Sequence, residues 1–148
     1  MAKQTIIVLD NSINSRFLWP DSENPANNDY ALHVIQQAST GAVFYVPTIW
    51  HYELTQVAYT LTRKKIVSQA ATHTYFNQLA GLPIMTDSLS HANSANAGYA
   101  LCLQYGLSSY DSAYLELALR LGAYLATNDA DLMKAADKAG VALLPRDM

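Results

Sequence analysis

The chain has 148 residues, 51% of them hydrophobic and 14% charged. That is enough for one domain, spanning 1–148, with a substantial core, and too apolar for a disordered chain. The net charge of −3, from 9 Lys and Arg against 12 Asp and Glu, removes any global electrostatic case for nucleic-acid binding, so such a case must rest on a local patch.

Cys102, in ALCLQY, is the lone cysteine. It excludes an intrachain disulfide framework and points to a reducing compartment. The opening MAKQTIIVLD has too short an apolar run for a signal peptide, and no later run spans a membrane. A soluble, cytoplasmic protein is expected.

In chain order, TIIVLD is a β-branched run ending in an acid, which predicts a buried strand. NSINSRFLW suits a short helix, and PDSENPANND is a loop rich in Pro, Asn and Asp. Asn28 or Asp29 then caps a helix through Ala38, closed by Gly41. AVFYVP is a second strand. Thr48 caps a long helix to about Lys65, and Ser68 caps another to Ala80, closed by Gly81. LPIMT is a third strand, followed by a helix from about Ser90 to Tyr105. Ser108 or Ser109 opens the next helix, and Gly122 follows it. AYLAT is a fourth strand, DADLMKAADKAG a helix with Leu132, Ala135, Ala136 and Ala139 on one face, and VALL a short last strand. Strands alternate with helices throughout, so the expected fold is a parallel sheet covered by helices on both faces. No internal repeat or linker interrupts the order.

In such sheets ligands bind at the carboxyl ends of the strands. Asp10 ends the first strand, Asp129 follows the fourth in LATND, and Asp111 stands in the first turn of a helix that starts on the same edge. Glu53 lies inside the apolar stripe of Trp50, Leu54, Val57 and Leu61. Each has a plain structural explanation taken alone. Asp10 and Asp129 can cap helices, and Asp111 can favour the positive end of its own. An unpartnered Glu53 on an apolar stripe is costly. Asp131 and Glu116 look structural, the latter four residues before Arg120, as an exposed ion pair would be. Two carboxylates ~5 Å apart repel by about 3 kcal/mol at an effective dielectric near 20. No lysine or arginine falls at the matching strand ends, so four such acids call for a divalent cation. An all-oxygen set favours Mg²⁺ or Mn²⁺ over zinc.

IIVLDNS, VPTIWHYEL, GLSSYDSAYLELAL and LATNDADLMKAADKAGV resemble, in order, the four acidic motifs of PIN-domain ribonucleases. The similarity is greatest to VapC-type toxins of bacterial toxin–antitoxin pairs, and it runs from about residue 6 to 144. The third and fourth motifs are the most specific. By position, the resemblance implies catalytic roles for Asp10, Glu53, Asp111 and Asp129, with Ser12 and Thr127 in support. One departure is Asn11, where the family more often carries a small residue. The resemblance further implies a three-layer α/β/α fold with a five-stranded parallel sheet. It implies Mg²⁺- or Mn²⁺-dependent endonucleolytic cleavage of RNA to 5′-phosphate and 3′-hydroxyl ends, a homodimer, and inhibition by a small antitoxin.

Metal-assisted in-line displacement would place Asp10, Asp111 and Asp129 on the metal, with Glu53 completing the shell or orienting the attacking water. RNA needs local positive charge, and the candidates are Arg16 near the first acid and Arg63, Lys64 and Lys65 in TRKK. TRKK reads equally well as a helix C-terminus complemented by cations, and Trp19 as core, as interface or as a stacking platform. Two other readings compete. A haloacid-dehalogenase-type phosphatase needs a second Asp two residues after Asp10, where Ser12 stands. A degenerate PIN fold acting only as a binding module would not need all four acids. His33, His51, His73 and His91 show no ligand spacing, suit helix surfaces and make a zinc site unsupported. Walker A and G-x-G-x-x-G motifs are absent.

Overall fold

The computed structural model describes residues 3–88 and 91–146, the side chains of residues 91–94 excepted. Four short strands form one parallel sheet: β1 (Ile6–Leu9), β2 (Val43–Val46), β3 (Ile84–Thr86) and β4 (Tyr124–Ala126), in the order β3-β2-β1-β4. Successive side chains of a strand point to opposite faces. Ile7, Val8 and Leu9 are nonetheless all fully buried, so helices cover both faces of the sheet and the architecture is three-layered.

The helices are α1 (Asn11–Asn14, running into a 3₁₀ turn at Ser15–Phe17), α2 (Ala26–Gln36), α3 (Ile49–Arg63), α4 (Gln69–Ala80), α5 (His91–Tyr105), α6 (Ser109–Leu121) and α7 (Ala130–Ala139). Their ends follow local chemistry. Ser68, Ser108 and Asp129 accept the backbone N–H three residues on, as side-chain caps do. Gly122 and Gly140 close α6 and α7 in the left-handed region, where glycine carries no Cβ penalty. Among the described residues, no helix is long and apolar enough to cross a membrane.

The sheet departs from the expected five strands. Val141–Leu144 meets β4 at a single bridge, Leu125 to Leu143. The Leu125 amide donates to Ala142 O and the Leu144 amide to Leu125 O, each at 3.0 Å. Pro145 follows and has no N–H to extend the ladder. Helix α2 also begins earlier than expected, at Ala26, with Pro25 rather than Asn28 or Asp29 in the cap position. Proline suits a helix start because its φ is already helical, and here it is −58°. Asn28 is occupied elsewhere, accepting from the Asp21 amide and donating to the Asp21 carbonyl. Thr48 precedes α3 but makes no side-chain cap. The expected start of α5 at Ser90 lies outside the described residues.

The order β3-β2-β1-β4 means that the chain leaves β1 first to one side and later returns to the other. The crevice beyond the carboxyl ends of β1 and β4 is therefore the topological switch point, where ligands bind in open α/β sheets.

Candidate active site

Asp10 and the Thr127–Asp129 segment flank that switch point, and hydroxyl groups join them. The Asp10 amide donates to Ala126 O (3.1 Å), continuing the β1–β4 pairing by one residue. Its carboxylate is 5% exposed. Ser12 Oγ (2.6 Å) and Thr127 Oγ1 (2.7 Å) both donate to Asp10 Oδ2. Each hydroxyl also accepts a backbone N–H, Ser12 from Asn128 and Thr127 from Asp129, at 2.9 Å. Asp129 Oδ1 in turn accepts the Leu132 amide at 2.9 Å. Ser12 and Thr127 thus fix one oxygen of Asp10 and tie both strand ends together. Asn11 takes no part in this network: its Oδ1 accepts from Asn14, although the residue also lines the cavity that the acids border.

Glu53 and Asp111 arrive from α3 and α6. Glu53 Oε1 accepts a 2.7 Å hydrogen bond from the hydroxyl of Tyr114, which is fully buried three residues after Asp111. Asp111 is part-buried in the first turn of α6. Burial raises the pKa of Asp10, Glu53 and Asp111 above the ordinary carboxylate values. Their mutual repulsion adds to it. Asp129 pushes on both Asp10 and Asp111, while Asp10 and Asp111 push on Glu53. Ser12 and Thr127 work against the rise at Asp10, and Tyr114 against that at Glu53.

All four acids line one open cavity of about 450 Å³, together with Ser12, Ser15, Arg16, Trp19, Gln56 and Thr60. Four distant segments therefore border one cavity. The donor set is all-oxygen and suits a hard divalent cation. The oxygens do not already form a closed ligand set: among the described residues, no three Asp, Glu, His or Cys side chains are grouped closely enough to hold a metal ion.

Of the expected RNA contacts, Arg16 lines the cavity and TRKK does not. Arg63 lies over the Tyr59 ring at 5.6 Å, and Lys65, just past the Lys64 cap of α3, takes φ 60°. A larger cavity of about 550 Å³, lined by Thr48, Tyr99, Cys102, Ser109 and Ser112 among others, is bordered by Asp87 and Glu116. Both of these acids are ion-paired to Arg120, so size does not mark the chemistry.

Three features escaped the sequence. Tyr114 as the partner of Glu53 is one; its spacing from Asp111 marked only a core position. A buried network behind the site is another: Asn14 donates to Tyr75 Oη (2.8 Å) and accepts from Trp50 Nε1 (3.0 Å), which holds α1 against α3 and α4. The third is a cation near a strand end, where none was expected. Arg146 Nη2 donates to the Thr127 carbonyl (3.4 Å) and to Asn128 Oδ1 (3.1 Å), with its guanidinium over the Tyr30 ring. His51 and His73 are exposed as expected. His33 is not: its Nε2 is buried without a partner among the described residues. The side chain of His91 lies outside the described residues.

No family model matches the chain, and no curated protein matches it in sequence. Solved structures do match in fold. VapBC2 of Rickettsia felis, solved bound to a DNA fragment from its promoter, superposes with a TM-score of 0.65 at 15% identity, covering 95% of this chain and 98% of that one. FitAcB of Neisseria gonorrhoeae gives 0.61 at 18% identity over 95% and 97%. VapC20 of Mycobacterium tuberculosis, a toxin that cleaves the sarcin–ricin loop, gives 0.60 at 14% identity over 87% and 94%. The chain thus has the fold of VapC toxins, the PIN-like α/β/α fold that its motifs led one to expect.

Proposed function

We propose that this chain is a divalent-metal-dependent endoribonuclease of the PIN type, one domain over 1–148, serving as the toxin of a toxin–antitoxin pair. One observation carries the reading: four carboxylates from four separate segments line one cavity at the switch point of the sheet, with Arg16 the only cationic side chain in its wall among the described residues. Likeness in fold to a toxin that cleaves the sarcin–ricin loop supports a nucleic-acid phosphodiester as substrate.

Asp10, Asp111 and Asp129 are the residues that would hold Mg²⁺ or Mn²⁺. The cation supplies charge neutralisation for the phosphate during in-line displacement. The chain's own residues do the rest. Ser12 and Thr127 hold Asp10 rigid through one oxygen, and Tyr114 holds Glu53 through Oε1. Oε2 of Glu53 is then directed at the attacking water and takes its proton. A raised pKa suits a carboxylate for that task near neutral pH. The water oxygen bonds to phosphorus, the bond to the 3′-oxygen breaks, and that oxygen takes a proton from solvent. The products are a 5′-phosphate and a 3′-hydroxyl. Arg16 offers the positive charge that the acids lack.

A small antitoxin and a second copy of the chain are the proposed partners, in the cytoplasm. Tyr52, Tyr59, Tyr99, Leu103 and Tyr110 are each more than half exposed, and apolar surface of that extent suits burial against another protein.

A second reading, a PIN-like fold that binds without cutting, is favoured by the absence of a ready metal-ligand group among the described residues. Mn²⁺ titration separates the two, because a binding module has no use for the ion. The purified chain should cut single-stranded or looped RNA with Mg²⁺ or Mn²⁺ and stop with a chelator. Asp10→Asn should lower the rate on the order of 100-fold or more while the melting curve keeps its cooperative shape. Full activity in chelator, or a near-native rate in Asp10→Asn, overturns the proposal.

A further inference from the structure

The lining of the acid cavity carries two unlike sets of side chains: the carboxylates of Asp10, Glu53, Asp111 and Asp129, and the guanidinium and indole of Arg16 and Trp19. Carboxylates repel a polyanion, so the second set must do the holding. Trp19 is 47% exposed, whereas the other tryptophan, Trp50, is 3% exposed. Leaving an indole in water forgoes the stabilisation that burial of its apolar surface gives.

The backbone that carries Trp19 is held firmly. The amides of Leu18 (3.1 Å) and Trp19 (2.9 Å) both donate to Ser15 O, and Pro20 follows with its fixed φ. Asp21 Oδ1 then accepts the amides of Glu23 (3.0 Å) and Asn24 (2.9 Å), and Asn28 brackets Asp21 on its amide and carbonyl. Arg16, three residues before Trp19, is part-buried and forms no ion pair among the described residues. Its guanidinium is available to an anion.

We infer that Trp19 and Arg16 form a nucleotide subsite of the acid cavity, in which Trp19 stacks on an unpaired base beside the cleaved phosphodiester and Arg16 takes an adjoining phosphate. The inference rests on the ribonuclease reading and adds the two residues that hold the nucleotide beside the cleaved bond. A base inside a duplex has both faces covered, so an aromatic platform selects RNA that is single-stranded or splayed out at that nucleotide.

The test uses a labelled single-stranded oligoribonucleotide and the full chain. Binding is followed by anisotropy on an Asp10→Asn background, which keeps the RNA intact. Trp19→Ala should weaken binding roughly 5- to 100-fold, the range found for one base–aromatic stack, and Trp19→Phe should restore most of it. An abasic nucleotide walked along the RNA should weaken binding to the background protein at one position, and to the Trp19→Ala protein no further at that position. Arg16→Gln should reduce the slope of log affinity against log salt by about 0.7, one phosphate contact on a single strand. Because Trp50 is buried, indole fluorescence quenched by RNA should report Trp19 and vanish in Trp19→Phe.

If Trp19→Ala binds as tightly as its parent and keeps the parent's abasic sensitivity, the subsite is refuted while the ribonuclease reading stands. If Trp19→Ala leaves RNA binding intact but turns a dimer into a monomer in light scattering, Trp19 belongs to a protein interface and the inference falls. If the unsubstituted chain neither cuts nor binds RNA with Mn²⁺ present, the ribonuclease reading fails first.

Discussion

Two groups of carboxylates border helix α6, and they are built on opposite terms. On one side Glu116 joins Asp87 around Arg120, with contacts of 2.7 and 2.6 Å. On the other, Asp111 joins Asp10, Glu53 and Asp129 around an open cavity. The first group is charge-compensated: Glu116 and Asp87 both raise the pKa of Arg120, which stabilises its charged form. In the second group Asp10, Glu53 and Asp111 are all pushed the other way, toward the neutral acid. The compensated group borders the larger cavity and the uncompensated group the smaller. The difference teaches that two carboxylate groups are told apart by what fails to neutralise them, and not by the volume beside them.

The sharpest way to break the contrast is to add a cation. At about a hundred times its dissociation constant a ligand stabilises the folded state by roughly 2.7 kcal/mol. Mn²⁺ should raise the melting temperature of the wild type accordingly and that of Asp111→Asn far less. With chelator the order should reverse, Asp111→Asn exceeding wild type by on the order of 1 kcal/mol, less about 0.3–1 kcal/mol for the lost helix-dipole contact.

Acidity should act in the same direction as Mn²⁺. The folded pKa values of Asp10, Glu53 and Asp111 are raised, so the folded chain keeps protons that the unfolded chain releases. Stability from these groups is fully present below the ordinary carboxylate value, near 4, and is lost as pH rises through the raised values. Metal-free protein should therefore gain stability on acidification from neutral toward about pH 4.5. Asp21, the one acid with a lowered pKa among the described residues, acts only below that window. If Mn²⁺ shifts neither melt and acid only destabilises, the four acids do not behave as one site.

A smaller effect is expected at Tyr114→Phe. A hydrogen bond to a charged group contributes about 1.5–3 kcal/mol, so cleavage should slow by roughly 10- to 100-fold with less change in KM. The hydroxyl also lowers the Glu53 pKa. Its removal should move the acid limb of the pH–rate profile to higher pH, a shift that simple loosening of the core would not produce.

Arg120→Met should have the smallest effect. The pair is partly exposed, and such pairs contribute up to about 1 kcal/mol. The melt should fall by that much or less, diminishing with salt, and RNA cleavage should be unchanged. A large loss of cleavage in Arg120→Met would erase the distinction between the two groups.

Much of this was legible in the chain itself. TIIVLD and AVFYVP had to be buried strands because β-branched runs without polar breaks fit a sheet covered on both faces. Ser68 and Ser108 marked helix starts because a side-chain acceptor there satisfies an orphan N–H. Glu116 and Arg120, one helical turn apart, announced their ion pair. Elements whose ends are set by neighbours four residues away or fewer can be read locally. The helix start at Pro25 departs from the expected cap because Asn28 is claimed by Asp21, seven residues away, and the fifth strand shrinks to one bridge because its pairing depends on β4, a distant segment.

For the acids, the chain alone determined their identity, their places after β1 and β4 and at the start of α6, and hence the edge of the sheet they occupy. Only the tertiary structure decided what each one meets. That Ser12 and Thr127 converge on the same oxygen of Asp10, that Tyr114 reaches Glu53 across 61 positions of chain, and that Asp87 joins Glu116 at Arg120 are facts of packing. The reason is physical. Caps and ion pairs within a helical turn follow from the repeat of the backbone, whereas a contact between distant segments exists only once the whole core has set the distance between the helices that carry it.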